Sequence, residues 1–292
     1  MNPLDRVLIV GHRGMLAQAL ASALDSRGIA HAGVDRDTCD ITSPDSVAQI
    51  FREHHPTLVL NCAAYTAVDK CEVEPDAANA VNGIGVGHLA SASRAGGAML
   101  VHYSTDYVFD STLRRPLRPD DPVGPKSAYG RSKLLGEQLL QSHAPDRWMI
   151  LRTAWLYGPG GPSFPATMLR VAREGKPLTV VNDQFGSPTF THDLAAATLN
   201  LITAGGQGIL HLTNSGQTNW FEFARAIFET FGITPASLNP ITSDDWKRTK
   251  PDAAERPRYS VLDCSAYTSL TNQTLPDWRD ALKRYRATHL KP

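Results

Sequence analysis

The sequence predicts an α/β fold in which helices cover both faces of a parallel sheet, followed by a smaller C-terminal lobe. Three observations point there. Short apolar, β-branched runs alternate with helical patterns for about 155 residues, as in parallel sheets with crossover helices. The first run, "RVLIV" (6–10), reaches the first helical pattern through a glycine turn, "GHRGMLA" (11–17). After Gly158 the texture changes at "GPGGPSFP", a turn-rich boundary.

Bulk composition narrows the function classes. The 292 residues suffice for one large domain or two intimate lobes with a sizeable core. Lys plus Arg number 29 and Asp plus Glu number 29, so no global field favours nucleic acid. The four cysteines form no CxxC and fit a reducing, cytoplasmic setting; the ten histidines show no metal-ligand spacing. No stretch of about 20 apolar residues predicts a membrane span, and the early first strand leaves no room for a secretory signal.

The elements follow in order. In "GHRGMLAQALASALDSRG", Leu16, Leu20 and Leu24 recur every fourth residue, an amphipathic helix. "IAHAGVD" is a second strand ending at Asp35. Residues 43–55 are a helix with Ser43 as N-cap and Pro44 at its first position. "TLVLNCAA" is a third strand, 76–95 a helix, "GAMLVHYST" a strand, 129–142 a helix and "RWMILRTAWLYG" a strand. Beyond the boundary come helices at 164–174, 192–204 and 219–231, strands at 178–181 and 208–213, an irregular basic loop and a last helix near 276–290. This organisation is a Rossmann-type, doubly wound parallel sheet over 1–158 and a substrate-binding lobe over 159–292. A part near 192–213 returns to the sheet.

Ligands of open α/β sheets sit beyond the carboxyl ends of the strands. Those ends are Gly11, Asp35, Asn61 to Ala64, Ser104 to Asp106 and Trp155. Gly11 and Gly14 let backbone approach a pyrophosphate, Met15 and Leu16 open the helix whose N–H groups would meet it, and Ala17 stands where a third glycine is common. Asp35 suits a ribose 2′-OH and so NAD; Arg36 suits a 2′-phosphate and so NADP; both choices stay open, as does a plain surface turn. Asp40 and Ile41 follow where a loop reaches towards adenine, and Ala63, Ala64 and Tyr65 close the third strand on the cofactor side.

"AYGRSK" (128–133) sets Tyr129 and Lys133 four residues apart at a helix start, so both project from one face. An exposed helix start with an amphipathic Tyr and a solvated Lys would look the same. The rest of the chain decides. "NCAAYTAVDKCE" (61–72), "STDYVFD" (104–110), "YGRSK", "LRTAWLYG" (151–158), "DQFGSPT" (183–189) and "RPRYSVLD" (256–263) together resemble dTDP-4-dehydrorhamnose reductases, which are extended short-chain dehydrogenases/reductases. The likeness spans nearly the whole chain.

The resemblance implies NAD or NADP as cofactor and a nucleotide-sugar substrate. It implies Tyr129 as the acid that protonates the reduced carbonyl and Lys133 as the cation that favours its phenolate and bonds the nicotinamide ribose. A free Tyr titrates near about 10, and a neighbouring cation lowers that value. The third member is a Ser or Thr at the preceding strand's end; counting back from "STDYVF" selects Thr105, with Ser104 as rival. Asp106 and Tyr107 continue the substrate side, and the absence of Glu after Asp106 disfavours a 4,6-dehydratase. Trp155 is either a core residue or a sugar-flanking ring, and the turn at Asn182-Asp183-Gln184 either lines the nucleotide pocket or is only a turn. Arg256, in the basic stretch 247–258, is the candidate for the diphosphate. Ala19 and His192 stand where some relatives carry metal-bridging glutamates, which implies no metal and a monomer or weak homodimer. A nucleotide-sugar 4-epimerase with retained NAD and a non-catalytic NADP-binding regulatory subunit are the alternatives.

Overall fold

The structure, a computed structural model, describes residues 2–110, 113–143 and 145–289. The first half alternates β1 (Val7–Val10), α1 (Met15–Asp25), β2 (His31–Val34), α2 (Pro44–His54) and β3 (Leu58–Asn61). Next come α3 (Val68–Val73), α4 (Pro75–Asn79), a π-helical segment Ala80–Ile84, α5 (Gly85–Gly96), β4 (Met99–Thr105), α6 (Ala128–Ser142) and β5 (Trp148–Thr153). The second half holds β6 (Leu156–Tyr157), α7 (Phe164–Arg173), β7 (Leu178–Val181), β8 (Phe185–Gly186), β9 (Thr189–Phe190), α8 (Thr191–Thr203) and β10 (Gly208–His211). It ends with β11 (Thr218–Asn219), α9 (Trp220–Phe231), β12 (Leu238–Ile241), α10 (Ser243–Thr249), α11 (Ser265–Thr271) and α12 (Trp278–His289).

One six-stranded sheet, ordered β10-β5-β4-β3-β1-β2 and parallel throughout, carries the fold. Its central strands are buried on both faces, which is why they read as continuous Val, Leu and Ile rather than as an alternation. One face packs on α1 and α8 through Leu20, Leu24, Leu194 and Leu199. The other packs on α2, α5 and α6 through Val47, Ile50, Val86 and Leu140. A separate aromatic core joins α7, α9 and α12 in the second half, with Tyr157, Phe223, Trp278 and Tyr285 at its centre. β10 is the strand that comes back from that half and pairs with β5, Gly208 opposite Met149.

Local chemistry explains the borders. The Ser43 hydroxyl accepts from the Ser46 amide (3.3 Å), Pro44 opens α2, and His55 closes it in the left-handed region at φ 42°. The Ser127 hydroxyl accepts from the Gly130 amide (3.1 Å), which starts α6 one residue before its catalytic tyrosine candidate.

Three expectations change. The single helix over 76–95 is instead α4, the π segment and α5, with α3 before them; at the interruption Gly83 admits Leu135 of α6 and Gly85 admits Ile41 at close range. The strand through Trp155 stops at Thr153, because Trp155 turns to φ +48°. The basic loop contains a helix, α10, capped by the Thr242 hydroxyl, which accepts from the Asp245 amide (3.1 Å). Residue 290, the expected end of the last helix, lies outside the described residues.

Candidate active site

The turn after β1 is shaped for an anion. Gly11 has φ +77°, and a Cβ there would stand 2.8 Å from the Ala63 backbone, so glycine alone fits. The Gly11 and His12 amides donate to the Val34 carbonyl, which closes the turn (2.9 and 3.1 Å). Gly14 caps α1 without a side chain, so the first-turn amides are not engaged by a cap and remain for a pyrophosphate. Met15 packs against Gly161 of the boundary turn, and the Leu16 side chain is buried in the core, leaving its backbone to the site.

Around the turn after β2, the Asp35 carboxylate accepts from the Arg13 and Arg36 amides, both at 3.0 Å. Its Oδ2 lies 3.5 Å from His12 Nδ1 and 3.9 Å from Arg13 Nε, and Arg36 is exposed beside it. The Arg13 guanidinium, which also pairs with Asp37 (2.6 Å), is thus the cation placed next to this carboxylate. Asp40 is spent on its own turn, accepting from the Thr42 amide and hydroxyl (3.0 and 2.7 Å). The Ile41 side chain is core, pressed on Gly85, and its carbonyl accepts from His88 Nδ1. Ala63 approaches Gly11, Ala64 is exposed, and the Tyr65 backbone is held at both ends by the Asn82 side-chain amide (2.8 and 2.9 Å).

The three catalytic candidates meet at the end of β4. The Thr105 hydroxyl donates to Asp106 Oδ1 (3.0 Å), accepts from the Tyr107 amide (3.2 Å) and lies beside the Tyr129 side chain. Ser104, one residue back, points to the opposite face and donates to Glu137, which is ion-paired with Arg152 (2.7 Å). Alternation along the strand thus brings Thr105, not Ser104, to the tyrosine. The Tyr129 ring meets the Tyr107 ring edge-on at 5.4 Å. Lys133 is 2% exposed; its Nζ donates to the Tyr103 carbonyl (2.7 Å) and lies 3.1 Å from His102 Nε2.

The electrostatics differ from the simple expectation. Burial pushes the Tyr129 hydroxyl up, with the neighbouring Thr105 opposing and Asp106 adding to the rise. Burial brings Lys133 down to about 8, with Glu137 opposing. Burial raises Asp106 to about 6 although Thr105 donates to its Oδ1, and its Oδ2 has no partner among the described residues.

Beside this trio a cavity of about 620 Å³ runs from Tyr107 and Ser127 into the second lobe. Arg256 lines it, bound bidentately to Asp69 of α3 (3.0 and 3.1 Å). Its far wall is aromatic, with Phe164, Trp220 and Trp246, and Lys250 sits over the Trp246 ring at 4.7 Å. Trp155 does not face the cavity: its ring lies between Gly186 and Trp220, stacked on the latter at 3.5 Å. Sequence reading missed Trp220 and Trp246 because an aromatic at a helix start reads equally as core. Of the turn after β7, Gln184 lines the cavity, while Asp183 accepts from the Ser243 amide (2.9 Å) and pairs with Arg258. Ala19 is buried in α1, and His192 stacks on Phe190 at 4.7 Å.

Comparison with known proteins places this geometry in a family. The profile of the family described as the RmlD substrate binding domain matches residues 5–290. A dTDP-4-dehydrorhamnose reductase of Streptomyces griseus is 45% identical over 285 residues, covering 96% of this chain and 92% of that protein. A dTDP-4-keto-6-deoxy-D-glucose reductase of Streptomyces niveus is 38% identical over 278 residues, 95% of each. The crystal structure of dTDP-4-dehydrorhamnose reductase from Bacillus anthracis in complex with NADP superposes with a TM-score of 0.92 at 34% identity, covering 97% of this chain and 99% of that one. With a cradle for a dinucleotide, a Thr-Tyr-Lys set and near-complete coverage by reductases, this chain belongs to the RmlD, dTDP-4-dehydrorhamnose reductase, family.

Proposed function

We propose that the chain reduces the C4 carbonyl of a dTDP-4-keto-6-deoxy sugar with NAD(P)H, taking dTDP-6-deoxy-L-lyxo-4-hexulose to dTDP-L-rhamnose. The observation that carries this is the meeting of Thr105, Tyr129 and the buried Lys133 at the end of β4, with the Tyr129 ring edge-on to Tyr107, which lines the cavity. When bound in the glycine cradle, the reduced nicotinamide supplies the hydride. Tyr129 gives its proton to the new hydroxyl, and Thr105 orients the carbonyl oxygen. Lys133 holds the cofactor side of the site. Arg256 and Lys250 take the diphosphate, and the wall of Phe164, Trp220 and Trp246 takes the base. Arg13 and Arg36 around Asp35 support acceptance of NADPH as well as NADH.

A second reading changes only the sugar. One relative is a dTDP-4-keto-6-deoxy-D-glucose reductase, so the same machinery serves more than one C4-keto hexose in this family. The deciding experiment is nicotinamide oxidation, with NADPH and with NADH, over a panel of dTDP-, GDP- and CDP-4-keto sugars. Turnover of the rhamnose precursor above the other dTDP sugars supports the proposal. Preference for another dTDP-4-keto sugar moves the assignment to the second reading. No turnover of any sugar, with NAD retained through purification, points instead to an epimerase.

A further inference from the structure

The turn after β7 begins a line of polar groups that ends inside the cavity. Asp183 is ion-paired with Arg258, and the amide and hydroxyl of Ser243 both donate to its Oδ1 (2.9 and 2.6 Å). A carboxylate only accepts, so the single Ser243 hydroxyl proton is spent there. The Ser243 oxygen stands 3.0 Å from the Gln184 side-chain nitrogen and must accept from it. That settles which end of the Gln184 amide is which. Nε2 meets Ser243, and Oε1 points away from it with no hydrogen-bond partner among the described residues. Gln184 is 5% exposed and lines the cavity. An amide carbonyl held this firmly and left unpaired in a nearly dry place is an acceptor set for a ligand's donor.

The surrounding wall says what kind of donor. Trp246 follows Ser243 by three residues on α10, so the anchor of Gln184 and a ring of the aromatic wall share one helix face. Val180 and Val181 at the end of β7 line the same cavity and offer no polar side chain. A flat heterocycle lying on such a wall presents its edge, and bases are told apart by the donors and acceptors of that edge. Thymine and uracil carry an N–H at N3; cytosine carries a lone pair there. We infer that Gln184 determines base specificity: its Oε1 accepts from the N3–H of a thymine or uracil and so refuses cytosine. The inference rests on the reading of this cavity as the nucleotide-sugar site and names the base edge that it reads. With cytosine, two lone pairs would face each other away from solvent, and a polar site left unpaired discriminates strongly. Turning the amide over does not relieve the conflict. Oε1 would then face the Ser243 oxygen, whose proton already belongs to Asp183.

The test is calorimetric binding of nucleoside diphosphates to the full chain saturated with NADP, and it needs no turnover. dUDP and dCDP both lack the thymine methyl and differ in the donor at N3; dUDP should bind at least about tenfold more tightly. The diphosphate of 3-methylthymidine, in which a methyl replaces that N–H, should bind at least about tenfold more weakly than dTDP. Gln184→Met keeps the length of the side chain and removes the acceptor, so it should bring dUDP and dCDP to within about twofold of each other. Equal binding of dUDP and dCDP by the wild type overturns the inference. So does equal binding of dTDP and its 3-methyl form, a preference that survives Gln184→Met, or failure of every diphosphate to bind. If Gln184→Met loses its fold, seen as lost NADP binding, the two wild-type comparisons decide alone. A chain that sorts the bases but turns over no 4-keto sugar would sink the proposed function and leave this inference standing. Reductase turnover without sorting of the bases does the reverse.

Discussion

Tyr129 lies half-buried beside Thr105 and edge-on to Tyr107, and its partial burial holds its hydroxyl above the ordinary tyrosine range. Tyr129→Phe should leave folding and cofactor binding intact and lower kcat by ~10²–10⁴-fold, the usual share of a general acid; steady-state kinetics beside a cofactor titration would show it. Asp106 makes a pH prediction. Its native titration point of about 6 lies above the ordinary 3.8, so the native state holds a proton that the unfolded chain releases. That favours folding fully below the unfolded value and is lost as pH rises through about 6. Asp106→Asn should therefore gain stability relative to wild type near pH 8, by ~1–3 kcal/mol at 1.36 per unit, and lose that advantage near pH 4. Denaturant melts at the two pH values measure it. The sequence made Tyr129 and Lys133 legible because helical spacing is local. It left Thr105 against Ser104 open because the face of a strand residue is known only once its neighbours are. It left Trp155 open between core and sugar-flanking ring because the turn to φ +48° after Ala154 has no signature in the letters around it.

α6 delivers the tyrosine and the lysine, and what sets its height is a glycine contact. A Cβ on Gly136 would lie 2.1 Å from the Asn82 carbonyl oxygen in the π segment, too close without backbone movement. Asn82 also holds Tyr65 and accepts no such push freely, since its Nδ2 donates to Ser132 on the same helix (3.0 Å). Gly136→Ala should cost ~1–3 kcal/mol, as overpacked cores do, and lower Tm accordingly; calorimetry reads the loss. The alternation of strands and helices, and caps such as Ser43-Pro44, were readable because each is written within a few residues. The division of 76–95 into α4, a π segment and α5 was not, because Gly83 answers to Leu135 of α6 and Gly85 to Ile41, both distant in sequence.

Across the whole molecule, Asp69 of the first half grips Arg256 of the second beside the cavity. A diphosphate arriving there would compete with a carboxylate for one guanidinium. Arg256→Ala should raise the nucleotide-sugar KM about tenfold or more, ~1.4 kcal/mol, and leave the KM for NADPH nearly unchanged. Arg256→Lys should recover only part, since an ammonium does not fork to two oxygens. A loss confined to NADPH would mean the loop covers the cofactor instead. The sheet's sixth strand, β10, has a consequence for synthesis on the ribosome. When residue 158 has emerged, β5 is still an open edge, and the apolar face that α8 will cover is bare. About fifty more residues must follow, which at ~5–20 residues per second takes on the order of 3–10 s. For that interval the nascent chain presents an unpaired strand and a greasy face to its surroundings, a target for holdase chaperones and for neighbouring chains on the same messenger.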